Sequence, residues 1–223
     1  MRLKALTVAS AVAAACFAAA PAQAIEFQNG SFESNLAGWT ADPTLVANAG
    51  LWNHFNGLGE LDATYLPKHG AHMAIVQALQ PQDAKEGDPP EPPTLLTQQF
   101  DTAGGWFQGW AAFLGRDELP FNDFAFVRVY SDTRDVQLFF ADIQGVGNYG
   151  RTPWTKVYAY LQPGTYTFEA GVGNGFDPFR TSYLLLDNFR ITDAIPEPST
   201  WAMMIGGFFG MGAWLRRRRA AAA

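Results

Sequence analysis

Between residues 25 and 194, apolar and polar positions alternate in short runs that Gly, Pro, Asn and Asp interrupt at close intervals. The clearest run is Phe124-Ala125-Phe126-Val127-Arg128-Val129-Tyr130. One parity collects Phe124, Phe126, Arg128 and Tyr130, and the other Ala125, Val127 and Val129. A period of two is that of a strand, whose successive side chains point to opposite faces. Apolar residues on both parities predict a central strand covered by a second sheet. Similar runs span 72–78, 94–100, 106–114, 136–141, 155–161, 165–172 and 182–192, and none of the chain between them shows a helical period. Strands at this spacing without crossover helices predict an all-β fold, an antiparallel jelly-roll β-sandwich. The segment Gln80–Pro93 carries Pro81, Pro89, Pro90, Pro92 and Pro93. Proline donates nothing to a β-ladder, so this segment predicts a solvated loop.

The two ends follow different patterns. Arg2 and Lys4, an Ala/Val/Leu-rich stretch from Ala5 to Ala20, and the A-x-A step of Pro21-Ala22-Gln23-Ala24 predict a secretory signal peptide over residues 1–24. The single cysteine, Cys16, lies inside it. A chain cut after Ala24 therefore folds without a disulfide, on its apolar core. At the other end, the uncharged stretch from Trp201 to Leu215 precedes Arg216, Arg217, Arg218 and Arg219. At about 1.5 Å per residue it spans roughly 22 Å, less than the roughly 30 Å of a bilayer core. It predicts a short transmembrane helix that is marginal as a permanent anchor. Clustered arginines remain cytoplasmic, which places residues 25–194 on the exported side of the inner membrane.

Charge narrows the partners. The whole chain carries −6, and without the cations of the two termini and Glu197 the body carries about −11. Such a surface repels nucleic acid and anionic lipid, and suits neutral polysaccharide or divalent cations. Trp39, Trp106 and Trp110 are expected in the core, because a sandwich without disulfides needs large apolar side chains inside. Trp52, Trp154 and Phe179, flanked by turn residues, are the expected exposed aromatics. His69 and His72 fall on opposite faces of a strand entrance, so no zinc pair is expected from them or from His54. No Gly-x-Ser-x-Gly elbow, phosphate-binding Gly loop or H-E-x-x-H helix occurs. The acids Asp117, Glu118 and Asp123 could in principle act as acid and base on a glycosidic bond, but among 20 acids in the body some such cluster is expected by chance.

Two resemblances add to this. Ile195-Pro196-Glu197-Pro198-Ser199-Thr200, the apolar stretch and the arginine run resemble, in order and position, the PEP-CTERM sorting signal over residues 195–219, with 220–223 as a tail. This implies recognition by a membrane-embedded exosortase, processing near Pro196-Glu197-Pro198, transient anchorage in the inner membrane, and delivery to the envelope surface or extracellular matrix of a Gram-negative, exopolysaccharide-producing bacterium. The bland alternative is a simple tail anchor. Phe27-Gln28-Asn29-Gly30-Ser31-Phe32-Glu33 with Gly38-Trp39, and the closing run Ser182-Tyr183-Leu184-Leu185-Leu186-Asp187-Asn188-Phe189-Arg190, resemble the first and last strands of carbohydrate-binding-module and galactose-binding-like jelly rolls. There the two strands lie side by side, and a Glu and an Asp at the positions of Glu33 and Asp187 ligate a structural calcium ion. In the alternative, Glu33 caps a turn and Asp187 accepts backbone N–H bonds.

The expectation is thus an exported, exosortase-sorted surface or matrix protein, associated with extracellular polysaccharide through a non-catalytic jelly roll. Its rivals are a secreted glycan-active enzyme using carboxylates, and a structural or adhesive protein-binding surface protein.

Overall fold

A computed structural model describes residues 26–42 and 44–193. The expected signal peptide, Pro196, Glu197, Pro198, the 201–215 stretch and Arg216–Arg219 lie outside the described residues. Among the described residues no helix is long and apolar enough to cross a membrane.

The strands are β1 (Thr40–Ala41), β2 (Val46–Ala49), β3 (Trp52–Phe55), β4 (Leu61–Tyr65), β5 (Met73–Gln77), β6 (Thr94–Thr102), β7 (Gly105–Leu114), β8 (Phe124–Ser131), β9 (Arg134–Asp142), β10 (Thr155–Leu161), β11 (Gly164–Gly173) and β12 (Tyr183–Asp193), with one helical turn, α1 (Ile143–Val146), after β9. Sheet 1 runs β1-β6-β11-β8-β9 and sheet 2 runs β10-β7-β12-β5-β2, while β3 and β4 form a separate hairpin. Every pairing is antiparallel. From β5 onward the chain passes back and forth between the sheets except at the β8–β9 hairpin, the jelly-roll habit that the strand spacing predicted.

Alternation decides what lies between the sheets. Leu96 and Phe100 of β6, Ala125, Val127 and Val129 of β8, and Phe168, Ala170 and Val172 of β11 face Phe107, Ala111 and Phe113 of β7 and Leu184 and Leu186 of β12, all fully buried. Burying each large side chain stabilises by about 1.5–3 kcal/mol relative to leaving it exposed. The opening segment closes this core. The Phe27 ring meets Trp39, Phe100 and Phe107 edge-on at 5.5, 5.1 and 5.2 Å, and Phe32 stacks on Trp39 at 5.1 Å. Buried Gln98 fixes the segment by accepting from Gln28 N and donating to the Gln28 and Gly38 carbonyls. Phe189 N of β12 donates to the Gly30 carbonyl at 2.8 Å, so the opening and closing motifs do lie together.

β8 corrects one expectation. It is an inner strand of sheet 1, but only its Ala125, Val127 and Val129 parity is covered by the second sheet. The Phe124, Phe126, Arg128 and Tyr130 parity is half-buried on the outer face. There the Arg128 guanidinium lies over the Phe126 and Tyr130 rings and pairs with Glu169 at 2.7 Å. The aromatics serve as a bed for a cation, which explains why both parities carry apolar residues.

The β3–β4 hairpin is a third layer. With Met73 and Ile75 of β5, Ala112 and Leu114 of β7 and Leu185 of β12, its Tyr65 builds a second buried cluster on the outer face of sheet 2. His54 of the hairpin is buried between the Gly115 carbonyl (Nε2, 3.0 Å) and Asp62 (Nδ1, 3.3 Å). Trp154 Nε1 donates to the Leu66 carbonyl, and the Tyr65 hydroxyl to the Thr152 carbonyl. Trp52 and Trp154 therefore pack against this cluster instead of standing in solvent, contrary to expectation.

Candidate functional site

The hairpin covers only part of the outer face of sheet 2, and the remainder is lined by aromatic residues. In β7, Trp106, Gln108 and Trp110 point outward while Phe107, Gly109 and Ala111 point in. In β10 the partners of these outward residues are Tyr160, Tyr158 and Lys156. In β12, Thr192 and Arg190 lie opposite Trp106 and Gln108. Trp106 is 49% and Tyr158 65% exposed. Their ring centroids are 6.1 Å apart, and Tyr160 meets Trp106 edge-on at 5.6 Å. With its amide oriented to accept, Gln108 takes hydrogen bonds from Arg190 at 3.2 Å. The result is an open strip of rings edged by amide, guanidinium and hydroxyl groups.

Trp106 and Trp110 were expected in the core. Trp106 is half exposed, and Trp110 is an outer-face residue beneath the Lys68 ammonium, 4.8 Å from its ring centroid. Trp106 and Trp110 go outward because strand parity gives the inner face of β7 to Phe107, Gly109, Ala111 and Phe113, and at Gly109 even a Cβ would come within 2.3 Å of the Phe189 ring. Tyr158 and Tyr160 were not singled out from the sequence. The signal was the x-Tyr-x-Tyr alternation against Val157, Ala159 and Leu161.

Glu33 and Asp187 each hold the loop between β4 and β5, through different amides. Glu33 Oε1 accepts from Ala71 N and His72 N, both at 2.9 Å. Asp187, fully buried at the β12 irregularity, accepts from Lys68 N and His69 N on Oδ2 and from Asn188 N on Oδ1. Two backbone N–H bonds hold the exposed Glu33 below the usual carboxylate range, whereas burial pushes Asp187 above it against the pull of its three N–H donors. A calcium ion needs oxygen acceptors around it. Three of these four carboxylate oxygens instead face amide hydrogens, surroundings that fit a loop-holding role better than a cation's. Calcium on this pair stands as a proposal to be tested.

The acids Asp117, Glu118 and Asp123 lie at the far end of the sandwich, after β7 and before β8. Asp123 is fully buried, with Ser182 Oγ donating to Oδ2 at 2.6 Å and Gly175 N to Oδ1 at 2.9 Å. Burial pushes it up to about 7 and Asp117 up to about 6. With both oxygens engaged and no exposure, Asp123 is a structural group and not an accessible acid or base. Among the described residues no group of three or more His, Cys, Asp and Glu side chains is arranged to hold a metal.

No protein-family model and no curated protein matches this chain. Similar solved structures include TmCBM61 in complex with β-1,4-galactotriose (11% identity, 77% of this chain and 100% of that one, TM-score 0.43). Others are the K3 cleaved adhesin domain of Lys-gingipain from Porphyromonas gingivalis (15%, 76% and 99%, 0.43) and the C-terminal family 22 carbohydrate-binding module of Clostridium thermocellum Xyn10B (12%, 78% and 99%, 0.38). At such identities and TM-scores these likenesses say nothing of ligand or activity.

Proposed function

We propose that this chain is an exported, non-catalytic glycan-binding protein that engages extracellular polysaccharide on the open half of sheet 2. The observation that carries the reading is the exposed strip of Trp106, Tyr158 and Tyr160 on a rigid three-strand platform. Rings fixed by a β-sheet offer apolar area to the C–H faces of pyranose units at little entropic cost, and hydrogen-bonding groups beside them orient the hydroxyls. Gln108, Arg190 and Thr192 supply such groups. The test is affinity electrophoresis of the exported chain against a panel of neutral and acidic polysaccharides. Retardation by at least one polymer, lost in Trp106→Ala with Tyr158→Ala, supports the reading, and uniform mobility across the panel removes it.

Sorting is the second part of the proposal and rests on the sequence of the tail. Replacement of Pro196-Glu197-Pro198 by alanines is expected to leave an unprocessed species in the inner-membrane fraction, read by immunoblot. Unchanged processing and location sink this part alone.

A further inference from the structure

Four buried side-chain atoms among the described residues have no hydrogen-bond partner: Asn48 Oδ1, Thr94 Oγ1, Asp117 Oδ2 and Asn174 Oδ1. Two of them, Asp117 Oδ2 and Asn174 Oδ1, belong to residues that line one cleft of about 1210 Å³, walled by the loop after β7, the loop before β12 and residues 86–90 of the Pro-rich segment. Asp117 is 1% and Asn174 4% exposed. Both orphaned atoms are acceptors. The remaining polar atoms of the two side chains are already used: Asp117 Oδ1 accepts from Glu118 N at 2.8 Å, and Asn174 Nδ2 donates to the Leu79 carbonyl at 3.0 Å. A buried acceptor left without a donor costs about 1–3 kcal/mol, more when it is charged. Two on one cleft therefore point to something electropositive between the loops.

Asp177 lies on the same cleft and within electrostatic reach of Asp117. Its Oδ1 accepts from Phe179 N at 2.8 Å, which fixes the carboxylate on its turn. Arg180 is also within electrostatic reach of Asp117 and favours its charged form, but the carboxylate it pairs with is that of Glu118. It lies on the exposed rim, where it pairs with Glu118 at 3.2 Å and with the Tyr149 hydroxyl. Among the described residues three acidic or imidazole groups do not converge here, so the ligand set is mixed: two carboxylates and an amide oxygen. Hard divalent cations accept that set. Calcium is the better match than magnesium, because it tolerates irregular geometry, amide and backbone carbonyls and retained waters.

We infer that the cleft between the β7–β8 and β11–β12 loops is a calcium site, with Asp117, Asp177 and the Asn174 side-chain oxygen as its protein ligands. The ion ties two connecting loops of sheets 1 and 2 together at this end of the sandwich. Trp106 begins β7 and Asp117 follows its end, so the site is roughly 30 Å from the aromatic strip at about 3.3 Å per strand residue. It stands or falls independently of glycan binding. It is also distinct from Glu33 and Asp187, whose oxygens face amide hydrogens.

The experiment uses the exported chain stripped with chelator and dialysed. CaCl₂ is titrated while melting temperature and binding heat are followed, with MgCl₂ as a parallel arm. Calcium at about a hundredfold excess over its Kd is expected to raise the melting temperature by about 5 °C or more, magnesium by much less. Asp177→Asn, on the cleft's turn, and Asp117→Asn are expected to abolish the shift, while Glu33→Gln retains it. If Asp117→Asn fails to fold, Asp177→Asn decides alone. No heat and no shift in the unmodified chain overturn the inference, as does a shift that survives Asp177→Asn or disappears in Glu33→Gln.

Discussion

One half of the outer face of sheet 2 is closed and the other is open, although the same strands build both. In β7, Ala112 and Leu114 lie under the β3–β4 hairpin while Trp106 and Gln108 meet solvent. In β12, Leu185 is covered and Arg190 is exposed. The difference is in side-chain chemistry. The covered half presents aliphatic groups and the Met73 thioether, which gain only by exclusion of water. The open half presents rings that carry polar tips or stand beside polar groups, and these tolerate solvent. The lesson is that a strand parity cannot be assigned to core or surface by apolar content alone. What covers it decides, and here the cover stops at the loop of residues 66–72, where Lys68 lies over Trp110.

The largest expected effect tests the closed half. Leu185→Ala removes a fully buried side chain between the hairpin and sheet 2, and is expected to destabilise the fold by about 2–5 kcal/mol in denaturant unfolding. A loss below about 1 kcal/mol would mean that the hairpin is not a packed layer, and the contrast between the halves would dissolve.

The next tests the boundary. Gly70 has φ +69°, and a Cβ there would fall 2.4 Å from Glu33 Oε1. Gly70→Ala thus combines a left-handed backbone with a clash against the carboxylate that holds Ala71 and His72. It is expected to cost about 1–3 kcal/mol, with faster hydrogen exchange confined to residues 66–72. Exchange that quickens equally throughout both sheets would show that the loop is no boundary.

Trp106→Ala sharpens the open half. Removal of a half-exposed ring is expected to change stability by less than about 0.5 kcal/mol, while affinity for a retained polysaccharide falls at least about tenfold, or about 1.4 kcal/mol. Loss of stability as large as that of Leu185→Ala would place Trp106 in a packed layer after all.

The sandwich was legible wherever a strand is buried on one face and long. β5 to β12 lie where the alternation put them, within two residues at either end. β1 to β4 were not, because they are short and carry Asn48, Asn53, His54 and Asp62 among few apolar residues. Their partners are sheet faces far along the chain, and His54 is polar yet buried only because the distant Gly115 carbonyl receives it. That the opening and closing segments lie side by side was legible from the motifs, and Phe189 N donating to the Gly30 carbonyl joins them. The donors that satisfy Glu33 and Asp187 were not, since they are backbone amides of a loop that no side-chain pattern marks. The aromatic strip was misread because size suggests tryptophan inside, whereas strand parity gives the inner face of β7 to Phe107, Ala111 and Phe113 and turns Trp106 and Trp110 outward.

The smallest expected effect concerns the two carboxylates of the boundary loop, and it also decides their calcium proposal. Asp187 is raised above 3.8 chiefly by burial, so its contribution to stability is complete below 3.8 and is lost as pH rises through its folded value. Glu33 is lowered below 4.5 chiefly by the His72 N–H, so its contribution is present above 4.5 and is lost as pH falls through its folded value. Two acids that hold one loop thus tilt stability in opposite directions with pH. Carboxyl ¹³C shifts resolve them residue by residue in chelator-treated protein: Asp187 is expected to titrate above 3.8 and Glu33 below 4.5. Calcium shared by the pair would drive both downward, because a cation favours the charged form of each. An Asp187 value that drops well below 3.8 on addition of CaCl₂ would therefore establish the ion there, and an unmoved value leaves the loop held by its amides alone.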